Sequence, residues 1–226
     1  MLRHLAWAVV MLCFQVSACG QAQIPAKPQP HSPIIRPSAP DKAPWDFSVT
    51  VDGYLIEGED GYAQPTFTAD HKWLHLEARY NYENFHTGSI WGGYNFSWGR
   101  NWQFSVTPMV GGVFGRTNGI APGCEASLAW KILTFSLDNE YVFDTTSKSG
   151  NFYYAWPQLT VQPLKWFNFG GVVQHTKAFQ TDTNVQRGFF VGFQHKAVEF
   201  TTYVFEPGSS STSVVLELGA SFSKSH

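Results

Sequence analysis

The chain has 226 residues, a formal net charge of −2, and only 14% charged against 16% aromatic residues. A near-neutral balance offers nothing to attract a polyanion, which excludes nucleic acid as a partner. A charged share well below the usual ~25% marks a chain with much apolar surface to place, and the length suits one all-β domain plus a tail. The three cysteines, Cys13, Cys19 and Cys124, form neither a disulfide framework nor a metal-ligand spacing. Cys124 sits in an apolar setting and reads as an inert strand residue.

Residues 1–18 have the build of an export signal: Arg3 and His4, an apolar run from Leu5 to Phe14, then Ser17-Ala18. The apolar run is too short to span as a helix, which needs about twenty residues, and no later run is longer. The leader ends Val16-Ser17-Ala18-Cys19-Gly20, which resembles the lipobox of bacterial lipoproteins. That resemblance implies an acylated Cys19 as the mature first residue; ordinary cleavage after Ala22 is the alternative. Residues 19–44 form a tether, and between Ile24 and Pro44 lie seven of the thirteen prolines. Such a stretch lacks backbone donors, favours extended polyproline conformations and acts as a semi-rigid spacer.

From Trp45 to the end, residues 45–226, the chain alternates apolar and polar positions in segments separated by turn residues. Twelve strands are predicted: Trp45–Ile56, Ala63–Asp70, Lys72–Glu83, Thr87–Trp98, Trp102–Phe114, Ile120–Trp130, Lys131–Phe143, Asn151–Gln162, Trp166–Thr176, Asn184–Gln194, Val198–Glu206 and Ser213–Phe222. The connections alternate between tight turns carrying or flanked by Lys72, Arg100, Lys131, Lys165 and Lys196, and longer links at 57–62, 84–86, 115–119, 144–150, 177–183 and 207–212. Short periplasmic turns, longer outer loops and strands of about nine to eleven residues are the habit of outer-membrane barrels.

The third segment is the cleanest. Leu74, Leu76, Ala78, Tyr80 and Tyr82 fall on one face, and His75, Glu77, Arg79, Asn81 and Glu83 on the other. Rings on the apolar faces collect near strand ends: Trp45, Phe47, Phe96, Trp98, Trp102, Phe104, Trp130 and Phe222 at one level, and Tyr80, Tyr82, Phe114, Tyr141, Phe143 and Tyr153 at the other. Smaller groups such as Val49, Val51, Leu76, Val106 and Leu216 lie between. Sorting rings by depth is what two lipid–water interfaces select. The expected fold is therefore an all-β, antiparallel, up-and-down transmembrane barrel in contact with membrane lipids.

The last strand contains Glu217-Leu218-Gly219-Ala220-Ser221-Phe222, which resembles the assembly signal of Gram-negative outer-membrane proteins; here Ser223-Lys224-Ser225-His226 follows the terminal ring. The resemblance implies an outer-membrane location and recognition by the assembly machinery of that membrane. It is a resemblance to a class, porin-like barrels, and not to one member.

The same phases line the lumen with Asp52, His75, Glu77, Arg79, Glu125, Asp138 and Glu140, with Asp46 and Glu199 also inward. A turn at Trp130-Lys131 sets Glu125 near Ser136 and Asp138 near Gly123. Carboxylates with so few counter-charges call for water or cations, since isolated charges do not stay ionised in a dry interior. Two readings follow: a pore or binding channel for small polar, cationic solutes, or a barrel plugged by its own ion pairs with a structural or adhesive role. Twelve strands lie between barrels that fill with side chains and those that leave a channel. A third reading, a lipid hydrolase, rests on His175 facing lipid near Ser147, Ser149 and Thr176, outside any hydrolase motif, so the chain is read as a non-enzyme. His71, His86 and His195 are too dispersed for a metal site, and no cofactor motif is present.

Overall fold

The computed structural model describes residues 44–56, 61–178 and 184–224. The leader, Cys19 and nearly all of the tether lie outside them, as do most of the links at 57–62 and 177–183. The strands are β1 Trp45–Ile56, β2 Tyr62–His71, β3 Leu74–Tyr80, β4 Thr87–Tyr94, β5 Phe96–Trp98, β6 Gln103–Gly115, β7 Gly119–Trp130, β8 Leu133–Asp144, β9 Phe152–Leu164, β10 Phe167–Ala178, β11 Asn184–His195, β12 Val198–Phe205 and β13 Ser213–Lys224. β4 and β5 are two pieces of one barrel strand, holding one register against β6 through Gly93↔Met109 and Phe96↔Val106. The break at Asn95 falls beside Pro108, which has no N–H to give. Twelve barrel positions result, each antiparallel to the next. β1 closes on β13 from Trp45↔Lys224 to Ile56↔Ser213, which leaves no open edge.

The outward faces are apolar along their length. Leu55, Ile90, Val110, Leu159 and Leu218 are each about half exposed. A water-soluble barrel would not leave so continuous an apolar exterior; it is the exterior of a transmembrane barrel. The girdle at the level of the tight turns is denser than the alternation predicts, because Trp73 and Trp166 join it from the turns. Trp73 stacks on Tyr94 at 5.2 Å, Trp102 on Trp130 at 5.1 Å, and Trp166 on Phe193 at 6.3 Å. At the opposite level Tyr80, Phe114, Phe143 and Phe189 face outward.

Three of the five tight turns share one construction. Lys72, Lys131 and Lys196 each take a positive φ of 55–56°, which lets the chain reverse in two residues. In these turns the carbonyls of Trp73, Ile132 and Ala197 accept N–H groups from Asn95, Gln162 and Ser221, and in the turn at Lys165-Trp166 the Trp166 carbonyl accepts from Gln194. The Lys131 ammonium lies 4.8 Å from the centre of the Trp130 ring, a cation over an aromatic face at headgroup level.

Two expectations are corrected here. β3 ends at Tyr80 instead of Glu83, because Asn81 turns to φ 58° and shifts the side-chain phase by one. Tyr82 therefore points into the lumen, 1% exposed, and not into the outer girdle. The β7–β8 hairpin turns on Lys131 and Ile132, not on Trp130-Lys131, so Trp130 pairs with Leu133. Glu125 then stands directly opposite Asp138, and Ser127 opposite Ser136.

The packed core of this molecule is the lumen. Tyr54, Tyr82, Tyr154, Trp156, Val172, Phe190, Tyr203, Phe205 and Val215 form one buried cluster with Tyr62 against it. Trp91, Met109, Val113, Ala121 and Val142 form a second. Trp91 lies flat on the wall because Gly111 and Gly123 leave room: a Cβ at Gly111 would collide with its indole, and one at Gly123 would come within 3.1 Å.

Candidate lumen site

The lumen-facing positions expected from the alternation, Asp52, His75, Glu77, Arg79, Glu125, Asp138 and Glu140, all lie inside the barrel. β3 supplies the centre. Arg79 Nε donates to Glu77 Oε1 at 2.6 Å and Nη2 donates to Glu77 Oε2 at 3.0 Å, a bidentate pair two residues apart on one strand face. Its Nη1 reaches across the lumen to Glu140 Oε2 on β8 at 3.0 Å. The guanidinium is held between two rings, 4.0 Å from the Tyr82 centroid and 4.6 Å from that of Trp91. The Tyr82 hydroxyl donates to Asp138 Oδ2 at 2.7 Å, so two contacts from the β3 side tie β8 across the interior.

Toward the turn side, His75 places Nδ1 2.8 Å from Asp70 Oδ1 and Nε2 3.4 Å from Glu77 Oε2. A ring with both nitrogens donating satisfies both carboxylates. Asn95 Nδ2 donates to the same Asp70 oxygen, and Asn95 Oδ1 accepts from Thr107. His75, Glu77 and Glu125 offer ligand-type atoms within 4.8 Å of one another. Arg79 already covers both oxygens of Glu77, however, and its charge opposes a metal ion there.

A second acid group lies on the closing seam. Asp52 on β1 is directly opposite Glu217 on β13, and Glu217 is opposite Thr201 on β12. Tyr203 donates its hydroxyl to Glu217 Oε2 at 3.5 Å, and Asn168 donates to Glu199 Oε1 at 3.3 Å. Glu217 is a lumen residue beyond those expected, although its alternation with the outward-facing Leu216 and Leu218 marks it as inward. Glu83 is also inward, as expected, but through the loop and not the strand. It accepts from Ser89 Oγ at 2.5 Å, and Ser89 Oγ accepts from Trp91 Nε1 at 3.0 Å. Residues 81–86 thus fold over the mouth instead of standing away from it. Asn81 is bound to Ala63 O, Gln64 Nε2 and the His86 N–H, and Asn84 donates to Thr117.

The lumen is closed at this level. Asp52, Glu77, Arg79, Asp138 and Glu140 are 1–4% exposed, whereas a solute-wide aqueous passage leaves its lining accessible. Among the described residues, Arg79 is the one lysine or arginine on the lumen face. His175 points outward and packs edge-on to Tyr153 at 5.7 Å, while Ser147 and Ser149 hydrogen-bond each other at 2.7 Å. Cys124 faces outward on β7 and is half-buried.

Neither a protein-family model nor a curated protein matches the sequence. Solved structures do match in fold. The KdgM porin aligns at a TM-score of 0.56 and 14% identity, over 77% of this chain and 99% of that one. The KdgM porin in complex with disordered oligogalacturonate aligns at 0.58 and 14%, over the same shares. The outer membrane protein Omp33 of Acinetobacter baumannii gives 0.46 and 11%, over 80% of this chain and 100% of that one. The fold is that of an outer-membrane porin-like β-barrel, as the alternation and the girdles had indicated.

Proposed function

We propose that this barrel is a narrow, cation-preferring channel or binding barrel for small polar solutes, shut by its own lumen side chains. The observation that supports it is the sign of the lumen. Glu77, Glu125, Asp138 and Glu140 surround one arginine and His75, and Asp52, Glu199 and Glu217 gather on the seam away from any base. Carboxylates lining a narrow passage raise the local cation concentration and exclude anions. The KdgM porin has a structure with oligogalacturonate, an oligomer of a sugar acid and so a polyanion. A lumen of the present sign repels such a molecule, and the ligand is not carried over with the fold.

Planar-bilayer recording of the refolded protein in a salt gradient tests the reading. The expected result is a cation-selective reversal potential, strongest at low salt, where the Debye length is about 30 Å at 0.01 M. Glu125→Gln with Asp138→Asn reduces the selectivity, while Arg79→Ala strengthens it and raises conductance by removing the cross-lumen tie. Anion selectivity would refute the reading. Zero conductance in the wild type and in Arg79→Ala would leave the plugged, structural barrel, which the burial of the lining favours.

A further inference from the structure

Asp52 is 1% exposed, and neither of its carboxylate oxygens has a hydrogen-bond partner. A buried carboxylate without donors is costly, and such groups are ordinarily paired, hydrogen-bonded or bound to a metal. Two neighbours share its condition. Gln64, directly opposite on β2, is 1% exposed with Oε1 unpartnered, and Thr66, on the diagonal, is 2% exposed with Oγ1 unpartnered. The Gln64 amide is not reversed: Nε2 donates to the Asn81 carbonyl at 2.8 Å, and a carbonyl only accepts, so Oε1 is the end left over. On the other side of Asp52 stands Glu217. Inward side chains directly opposite across a ladder have Cβ atoms about 4.5–5.5 Å apart, and diagonal ones about 7–8 Å. Gln64, Asp52 and Glu217 thus form one row across three strands, with Thr66 beside it.

This set contains oxygen acceptors and lacks a base. Two carboxyl groups sharing a proton would hydrogen-bond each other, yet neither carboxylate oxygen of Asp52 has a hydrogen-bond partner. From these groups we infer that Asp52, Glu217, Gln64 and Thr66 hold a hard divalent cation of the calcium class at the seam where the first and last strands meet. Calcium takes six to eight oxygens at about 2.3–2.6 Å in flexible geometry, and two carboxylates balance its charge. Magnesium demands a stricter octahedron, and the absence of sulfur or imidazole disfavours transition metals. The site deepens the cation-preferring reading above, but it is a bound ion joining β1, β2 and β13 and does not require current to flow.

The probe is calcium itself, titrated into EDTA-stripped, full-length protein in detergent and followed by calorimetry. Terbium luminescence excited through the neighbouring Tyr54 and Tyr203 gives a second readout. One saturable equivalent is expected in the wild type. Asp52→Asn and Glu217→Gln keep the shape and weaken binding by roughly a hundredfold, each removing one of two ligand charges within the roughly millionfold range over which ligand charge and rigidity tune calcium sites. Glu125→Gln, in the other acid group, leaves binding unchanged, and heat-modifiable gel migration confirms that each variant is folded. No saturable binding in the wild type, or equal binding in Asp52→Asn, overturns the site. Calcium binding without conductance retains the site and removes the channel; cation current without calcium binding does the reverse.

Discussion

Replacing Arg79 by methionine probes the tie across the lumen. Methionine keeps an unbranched stem of similar reach between Tyr82 and Trp91 while removing the charge and all five donors. Three charge-assisted hydrogen bonds are lost, two to Glu77 and one to Glu140. Both acids stay behind at 3% and 1% exposure without the guanidinium, and Glu77 keeps the longer contact from His75 at 3.4 Å in its place. Breaking a buried ion pair from one side costs about 3–5 kcal/mol, mostly because the remaining charge is stranded. With a urea slope near the upper end of the usual range, about 3 kcal/mol/M, the unfolding midpoint in detergent falls by roughly 1 to 1.7 M. The test of cause is a second variant, Arg79→Met with Glu77→Gln and Glu140→Gln. It removes the stranded charges and recovers most of the loss, since neutralising all partners of a buried pair is nearly neutral. If Arg79→Met unfolds at the wild-type midpoint, or the triple variant is no better than the single, the ion pair does not hold the lumen together as described.

Topology gives a direct check: a cysteine at Ser149, in the exposed outer link, labels with an impermeant thiol reagent on whole cells, while one at Asn101, in a tight turn, stays silent. The reverse pattern would invert the orientation of every strand. Cys19 carries the lipid-anchor expectation. A mature chain that takes up labelled fatty acid, and loses it in Cys19→Ser while the barrel still assembles, agrees with acylation; a mature N-terminus at Gln23 by mass spectrometry rules it out.

The barrel was legible in the chain because a lipid-facing strand repeats every two residues, and lipid admits no polar exception to that repeat without cost. Leu74 to Tyr80, and Ser213 to Phe222 with Glu217 among them, fix which side chains face inward before any strand is paired. The rings at the strand ends gave the depth. Pairing was less legible, because the length of a turn sets register and a two-residue difference leaves the alternation unchanged. That is why Glu125 was placed near Ser136 and not opposite Asp138. The inward turn of Tyr82 depends on a single positive φ at Asn81 that no periodicity reports.

Contacts across the lumen were not legible at all. Arg79 with Glu140, and Tyr82 with Asp138, join groups 61 and 56 residues apart. Which inward side chains meet depends on the closure and stagger of the whole barrel, a property of all twelve strands together. The alternation therefore settled that the interior is acidic, while the tertiary structure alone decided that it is closed, and that Asp52 lies beside Glu217 and Gln64 with its oxygens unpaired.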